Sequence, residues 1–276
     1  MATPKSALQL AVKATAAATD ALRRPAPGVV VLIYHRVGGG SGLEVDLSVE
    51  RFDEQMAWLS FTGRVISLQD ALAALAGEAC GDPHTPPKVV VTFDDGTADF
   101  LDHAVPVLDR YRVPATLYAA TAYIDEGLEF PSGGTPLSWS ALLDACASGF
   151  VDVGSHTHRH RLLDRLAPAE IDDELDRSIE LIGEHVGRPP ADFAYPKAVP
   201  GSDAATRAVR ARFRSAALAG TRANPYGATD PFRLARSPVQ VNDGDRWFAR
   251  KAAGGMRLED ELRRLLNRRR YSTATA

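Results

Sequence analysis

The sequence predicts an α/β protein, and more narrowly a distorted (β/α) barrel of seven strands with an N-terminal helical extension. Apolar runs of strand length alternate with helical patterns along most of the chain, which is typical of parallel strands joined by crossover helices. Seven or so such units in about 230 residues match the size of a β/α barrel. The alternative is an open doubly wound sheet, but no Gly-x-Gly-x-x-Gly fingerprint follows a strand.

The predicted elements divide the chain into a helical arm over residues 1–27, which ends in the breaker cluster RRPAPG, and one barrel domain over residues 28–276. The first half of the domain contains predicted strands at VVVLIYH, RVISL, VVVTF and PATLYAA, with helices at SVERFDEQMAWLSFTG, QDALAALAGEA and ADFLDHAVPVLDRY. The second half contains predicted strands at VDVGSH, DFAYP, FRSAALA and RLARSPV, with helices at SWSALLDACASG and PAEIDDELDRSIELIGEHVG and a mostly helical tail from Arg246.

Composition limits the classes of function. The 276 residues are 45% hydrophobic and 24% charged, and the net charge of −3 gives no reason to expect a nucleic acid partner. Two cysteines are too few for a disulfide scaffold. No apolar run approaches the about 20 residues of a transmembrane segment, and the N-terminus lacks the apolar core of a secretory signal. We therefore expect a cytoplasmic protein, which its amphipathic N-terminal stretch could bring to the inner membrane face.

Two adjacent carboxylates, Asp94 and Asp95, follow the apolar run VVVTF. Asp-Asp-Gly is also a turn sequence, so this motif alone is compatible with a strand that ends in a solvated turn. In parallel α/β folds, however, active sites gather at the carboxyl ends of strands. The position of the two acids therefore makes them candidates for a catalytic site.

A second cluster, GSHTHRH, also follows a predicted strand. His156 and His160 are four residues apart, so one helical turn would place both rings on the same side, whereas His158 would point elsewhere. One carboxylate and two imidazoles form the ligand set of a catalytic zinc that keeps one position open. If the two strands meet at one barrel mouth, the second carboxylate is free to act as a base.

The motifs TFDDG and HTxxH together resemble those of the polysaccharide deacetylases, the fourth family of carbohydrate esterases. The resemblance covers roughly Val29 to Val241. Further segments that look like landmarks of the family are LIYHRV, FDEQMAWL, DHAVPVLDRYRVPATLY, LSWSALLDACASG, GSHTHRHRLL, FAYP and DPFRLARSPV.

This resemblance implies a metal-dependent carbohydrate deacetylase, a hydrolase that acts on non-peptide C–N bonds. Asp94 would be the general base of a metal-activated water, and Asp95, His156 and His160 would bind Zn²⁺ or another divalent metal such as Co²⁺. The implied substrate is an N-acetylated sugar, glycan precursor or glycoconjugate, and the product is acetate. The predicted cytoplasmic location favours a precursor over an extracellular polymer. The sequence does not indicate an oligomeric state.

The chain departs from the family pattern in two motifs. In FAYPKA, Ala194 stands where the family usually has an arginine and Lys197 where it has an aromatic residue. The backbone N–H of Lys197 could still bind the oxyanion, and Arg233 or Arg236 could replace the missing arginine. The Leu-x-x-His motif of the general acid is absent, because no histidine follows His185; possible replacements are His35 and His158.

We predict four residues at the substrate site, although each also has a structural interpretation. They are His35, Trp139, Tyr195 and Arg236. Two alternatives to the deacetylase remain at this point. One is a non-catalytic relic that binds metal and carbohydrate but has lost its acid, and the other is a related amide hydrolase, for example a deformylase-like enzyme.

Overall fold

Seven of the apolar runs form parallel strands that close into a barrel in a computed structural model of the chain, which describes residues 12–20, 26–77, 85–131 and 133–261. The strands are β1 (Gly28–Tyr34), β2 (Arg36–Val37), β3 (Asp46–Leu47), β4 (Lys88–Asp95), β5 (Ala115–Ala119), β6 (Val151–Ser155), β7 (Asp192–Ala194), β8 (Ser215–Ala219), β9 (Asn224–Pro225) and β10 (Leu234–Pro238). The barrel order is β1, β4, β5, β6, β7, β8, β10, and β10 pairs with β1 to close it. The predicted seven-stranded barrel is confirmed.

The barrel is uneven in its strand pairing. β1 pairs with β4 over six residues, whereas β6 pairs with β7 only through Ser155 and Phe193. The short strand β9 runs antiparallel to the start of β1 and lies outside the ring. The long β1–β4 pair fits the two most apolar runs of the sequence, which are buried on both faces as strands of a parallel sheet must be.

The helices are α1 (residues 12–20), α2 (Val49–Phe61), α3 (Leu68–Ala76), α4 (Val105–Tyr111), α5 (Thr121–Glu126), α6 (Trp139–Ala147), α7 (Pro168–Val186), α8 (Asp203–Arg212) and α9 (Gly244–Ala252). A π-helical turn, Phe100–Ala104, precedes α4. The side chains of Ser48 and Ser67 accept backbone hydrogen bonds at the starts of α2 and α3, as N-caps do.

The predicted strand at RVISL is wrong. Only Val65 forms a bridge, with Val89 of β4, and no strand extends from it. The reason is local: Ser67 already caps α3, so the helix begins inside the predicted strand. The predicted helical tail is partly confirmed, because α9 and residues 257–261 are helical and the remainder lies outside the described residues.

Two apolar layers position the site. Outside the barrel, the strands pack against α2, α4, α6, α7 and α9. Inside it, Val31, Val90 and Ala217 pack with Leu68 and Leu75 of α3. Since α3 leads into the start of β4, it closes the end of the barrel where the strands begin. The polar residues that follow the strands therefore lie at the opposite, open end.

The described part of the predicted N-terminal arm is a helix packed on the domain. Ala16 and Ala17 contact Trp247 of α9 and Met256. The rest of the arm, residues 1–11 and 21–25, lies outside the described residues. Among the residues that are described, no helix has both the length and the apolar character needed to cross a membrane.

Candidate active site

Three side chains from the ends of two strands form a cluster suited to a metal ion. Asp95 ends β4, and His156 and His160 follow β6, with one strand between them. The Nε2 atoms of His156 and His160 lie 3.7 and 3.5 Å from Oδ1 of Asp95. Ligands about 2.1 Å from a tetrahedral ion would be about 3.4 Å apart. The structure thus brings the three predicted ligands together at the spacing that a zinc-sized ion requires.

Both imidazoles present a suitable nitrogen to this cluster. Nδ1 of His156 is 2.7 Å from the carbonyl oxygen of Ala194, and a proton donated there leaves Nε2 as the free lone pair. Burial lowers the pKa of His160 to about 4, and His156 beside it acts in the same direction against the opposing Asp95 carboxylate. His160 is therefore neutral at neutral pH, as a metal ligand must be.

Asp94 is buried inside the barrel and paired with Arg236. The two terminal nitrogens of Arg236 each donate to a different oxygen of Asp94, at 2.6 and 2.8 Å. Both side chains are almost fully buried. Burial is the largest single effect and raises the pKa of Asp94, but the charge and hydrogen bonds of Arg236, together with His156 and His35, outweigh it and lower the pKa to about 2. Asp94 is therefore ionised at neutral pH and fixed in orientation.

Of the two arginines predicted as replacements for the missing one, Arg236 is the one that contacts Asp94. Arg233 is exposed on a short 3₁₀ turn, whereas Arg236 points into the barrel from β10. Thr92, two residues before Asp94 on the same face of β4, accepts a further hydrogen bond from Arg236 at 3.2 Å. Sequence reasoning missed Thr92, although its spacing from Asp94 was a usable signal.

His35 lies next to Asp94 at the end of β1. Tyr34 and Phe93 are partners in the β1–β4 register, so the residues that follow them are neighbours. His35 is close enough to contribute to the lowered pKa of Asp94. Its Nδ1 is buried and has no hydrogen-bond partner among the described residues. A half-buried imidazole beside the candidate base is positioned to donate or accept a proton.

Several site residues have left-handed backbone angles. The φ values of Asp95, Thr157 and His160 are 78°, 66° and 55°, and the turn after β7 continues the pattern at Lys197 with 52°. Such conformations are costly for residues other than glycine and concentrate at functional sites. Lys197 is exposed and close enough to His160 to lower the pKa of that histidine. The structure thus places the Lys197 turn beside the metal cluster.

The remaining candidates contact side chains outside the cluster. Tyr195 is 3% exposed and packs edge-on against Phe193 in a cluster with α7 and α8, outside the barrel. Trp139 stacks on His185 at 4.2 Å and donates to Asp125. His158 is buried, with Nδ1 3.0 Å from Oγ1 of Thr121. Tyr195 is thus buried outside the barrel, whereas the roles of Trp139 and His158 stay predictions that the function proposed below does not use.

Comparison with known proteins agrees with this geometry. The sequence profile of the family described as polysaccharide deacetylase matches residues 81–216. YxkH of Bacillus subtilis (strain 168), whose own assignment as a polysaccharide deacetylase is provisional, is 26% identical over 172 residues, which are 60% of this chain and 55% of YxkH. The poly-beta-1,6-N-acetyl-D-glucosamine N-deacetylase of Escherichia coli (strain K12) is 27% identical over 144 residues, 48% of this chain and 21% of that protein.

The solved structures that resemble the chain match it over more of its length. IcaB from Ammonifex degensii has a TM-score of 0.69 and 27% identity, and the match covers 83% of this chain and 99% of IcaB. The Streptococcus pyogenes deacetylase PplD has the same TM-score, with the same coverage of both chains, at 19% identity, which shows a shared fold alone. The chain therefore spans about half of one curated relative and about a fifth of the other, but nearly all of these two solved structures.

Proposed function

Because the chain belongs to the polysaccharide deacetylase family, we propose that it is a metal-dependent hydrolase that removes an N-acetyl group from a carbohydrate and releases acetate. The observation that carries this proposal is the adjacency of two units at one barrel mouth. One is the cluster of Asp95, His156 and His160, and the other is the buried pair of Asp94 and Arg236. In this proposal the first unit binds the metal and the carboxylate of the second unit accepts the proton.

The residues fit a divalent metal. A carboxylate with two neutral imidazoles is a common ligand set of catalytic zinc, and the hydrogen bond of His156 to Ala194 fixes the ring orientation such a site needs. Asp95, His156 and His160 would hold the metal, which we infer to be Zn²⁺ or another divalent ion such as Co²⁺. When bound, it supplies a Lewis acid that polarises the acetyl carbonyl and lowers the pKa of water.

Asp94 acts as the general base. Its carboxylate accepts the proton of the water that attacks the acetyl carbonyl carbon. The clamp by Arg236 keeps the carboxylate ionised and aimed, at the cost of basicity, because a base with a pKa of about 2 holds a proton weakly. We infer that placement and charge, rather than high basicity, are what Asp94 contributes.

His35 acts as the general acid that the sequence motif lacks. As the carbon–nitrogen bond breaks, the leaving amine needs a proton, and His35 is the neighbour of Asp94 with an unsatisfied buried ring nitrogen. The Lys197 backbone N–H, in the turn beside His160, is our candidate for binding the oxyanion of the tetrahedral intermediate. Products are acetate and the free amino sugar.

The substrate class is inferred from relatives. The Escherichia coli relative is named for a polymer of N-acetylglucosamine, which supports an N-acetylated hexosamine as the unit this site accepts. The predicted cytoplasmic location, and with it the preference for a glycan precursor, stays a prediction.

The test is acetate release from a panel of N-acetylated sugars and oligosaccharides by the zinc-loaded protein. We expect turnover that Asp94→Asn and His156→Ala reduce by at least 100-fold, because each removes a group that the reaction needs. His158→Gln is the matched control for His156→Ala, since it alters a nearby imidazole outside the cluster, and it should keep bound zinc and most activity.

Two outcomes would contradict the proposal. Full activity in Asp94→Asn would show that Asp94 is not the general base. Absence of turnover on every substrate, with one zinc bound per chain, would instead support the non-catalytic relic.

A further inference from the structure

Beneath the Arg236 guanidinium lies an aromatic ring to which the proposed reaction assigns no role. The central carbon of the guanidinium is 5.0 Å from the ring centroid of Tyr118, which extends into the barrel from β5. Both side chains are fully buried. Asp94, the Arg236 guanidinium and the Tyr118 ring are thus in successive contact inside the barrel.

The Arg236 guanidinium makes two kinds of contact, hydrogen bonds through a terminal nitrogen edge and a cation–π contact with the Tyr118 ring. The edge carries the two hydrogen bonds to Asp94 and the one to Thr92. The central carbon of the guanidinium lies over the Tyr118 ring, whose quadrupole attracts a cation, and this attraction is strongest for a desolvated pair. Nε of Arg236 is buried and has no hydrogen-bond partner among the described residues. The ring therefore restrains a side chain that hydrogen bonds hold only at its tip.

The Tyr118 ring fits in the barrel because the facing residue, Gly154, has no side chain. A Cβ atom added to Gly154 on β6 would lie 2.5 Å from Cδ1 of Tyr118 and 2.9 Å from the carbonyl oxygen of Asp192. The φ of Gly154 is not in the left-handed region, so its backbone conformation does not require glycine. Gly154 is needed for space, and the space it leaves is filled by the Tyr118 ring.

The hydroxyl of Tyr118 does not explain its presence. Its Oη atom is buried without a hydrogen-bond partner in the part of the chain that the structure describes. Burial, followed by the nearby Asp192 carboxylate, raises the pKa of Tyr118 far above its usual range, so the phenol stays neutral. Only the ring makes a contact that bears on the site.

We propose that Tyr118 is a positioning residue, whose ring holds the Arg236 guanidinium in the plane that lets both of its terminal nitrogens bind Asp94. Its kinetic consequence rests on the proposed function, since it acts through the base of that reaction. The contact itself is independent of the reaction, so it can be tested separately.

The kinetic experiment compares Tyr118→Phe with Tyr118→Met in the zinc-loaded protein. Phenylalanine keeps the ring, so kcat should stay within about 2-fold of wild type. Methionine fills similar space without a ring, and kcat should fall about 10-fold while KM changes less than 2-fold, because Asp94 acts on water rather than on substrate binding. Thr92→Val, which removes the hydrogen bond at the same guanidinium, should produce a smaller fall in kcat.

The second readout is the NMR resonance of the Arg236 Nε–H in metal-free protein. Because the guanidinium carbon bonded to Nε lies over the Tyr118 ring, we expect the ring current to shield this proton, so its resonance should lie upfield of those of solvent-exposed arginines in wild type and Tyr118→Phe. It should move downfield in Tyr118→Met.

Three results would overturn the proposal. They are an unchanged kcat in a folded Tyr118→Met protein, an equal loss in Tyr118→Phe, or an unshielded Arg236 Nε–H in wild type. The last result needs no variant to fold. If wild type shows no turnover but the shielding is present, the proposed function fails while the contact stands.

Discussion

Arg236 donates one hydrogen bond to each carboxylate oxygen of Asp94, so an arginine 142 positions later in the chain clamps the candidate base. The family pattern places an arginine where this chain has Ala194. Here Ala194 contributes its carbonyl oxygen to orient His156, and β10 contributes the guanidinium from another strand of the same barrel. In this chain the arginine that contacts Asp94 therefore comes from β10.

Replacing Arg236 should reduce both stability and activity. Arg236→Met leaves Asp94 as an uncompensated buried charge, and breaking a buried pair in this way costs about 3–5 kcal/mol of unfolding free energy. Activity should fall by about 100-fold or more. Arg236→Lys keeps the charge but not the two-pronged geometry, so stability should recover more than activity. Urea unfolding and acetate release measure the two effects.

The matched control for these variants is Arg233→Met, which removes an exposed arginine three residues earlier. It should leave both measurements close to wild type. An Arg236→Met protein with wild-type activity would show that the clamp is dispensable.

The Asp94 carboxylate should make the metal-free protein sensitive to acid. Its pKa is about 2 in the folded protein and 3.8 as an unperturbed group, so the folded state favours the ionised form. The resulting stabilisation, about 2 kcal/mol, is fully present above about pH 4 and is lost as the pH falls toward about 2. Thermal unfolding between pH 5 and pH 2 should show this loss beyond that of Asp94→Asn, in which position 94 cannot titrate. Parallel curves for the two proteins would contradict the assignment.

The sequence predicted the parts of the fold that follow from local pattern. Continuous apolar runs gave the barrel strands, and the residues that follow β4 and β6 gave the metal cluster, because parallel strands bring their carboxyl ends to one face. The partner of Asp94 was only a choice between Arg233 and Arg236, since the selection depends on which residue of β10 faces inward. The prediction of a short strand around Val65 was wrong because Ser67 caps a helix there, although the local pattern is apolar.

The role of Tyr195 shows a different limit of the sequence. It stands in the segment FAYP, which resembles the third motif of the family, and this made it a candidate for substrate contact. Phe193 and Tyr195 are two residues apart and pack together outside the barrel. The face on which a side chain lies depends on strand register, and a three-residue strand such as β7 carries too little pattern to reveal it.

His35 as general acid predicts a dependence on the leaving group. His35→Gln should lower turnover of an N-acetylated sugar by about 10²–10⁴-fold, the usual contribution of such catalysis, because an amine leaves poorly without a proton. An activated aryl acetate has a leaving group that needs no proton, so its hydrolysis should change by less than about 5-fold. Steady-state kinetics on the two substrates gives the ratio directly. Equal losses on both substrates would mean that His35 supports the site in some other way.

The last prediction concerns the N-terminal helix, where a buried carboxylate joins it to the domain. Asp243 accepts hydrogen bonds from Lys13 of α1 at 2.5 Å and from Lys251 of α9 at 2.8 Å, and all three side chains are nearly inaccessible to solvent. Burial lowers the pKa of Lys251, and the Asp243 carboxylate opposes that shift. Residues 12–20 are therefore tied to the domain by a charged contact as well as by the apolar contacts of Ala16 and Ala17.

Lys13→Met should accordingly lower the free energy of unfolding by about 1–3 kcal/mol, because it removes one of two cations from a buried carboxylate. Lys88→Met is the matched control, since Lys88 is exposed at the start of β4, and it should change stability by less than about 0.5 kcal/mol. Acetate release by the folded fraction should be unchanged in both, because α1 packs on α9 and Met256 rather than against the site residues. Equal unfolding midpoints for Lys13→Met and wild type would show that the helix is an appendage, as the sequence alone suggested, rather than part of the folded domain.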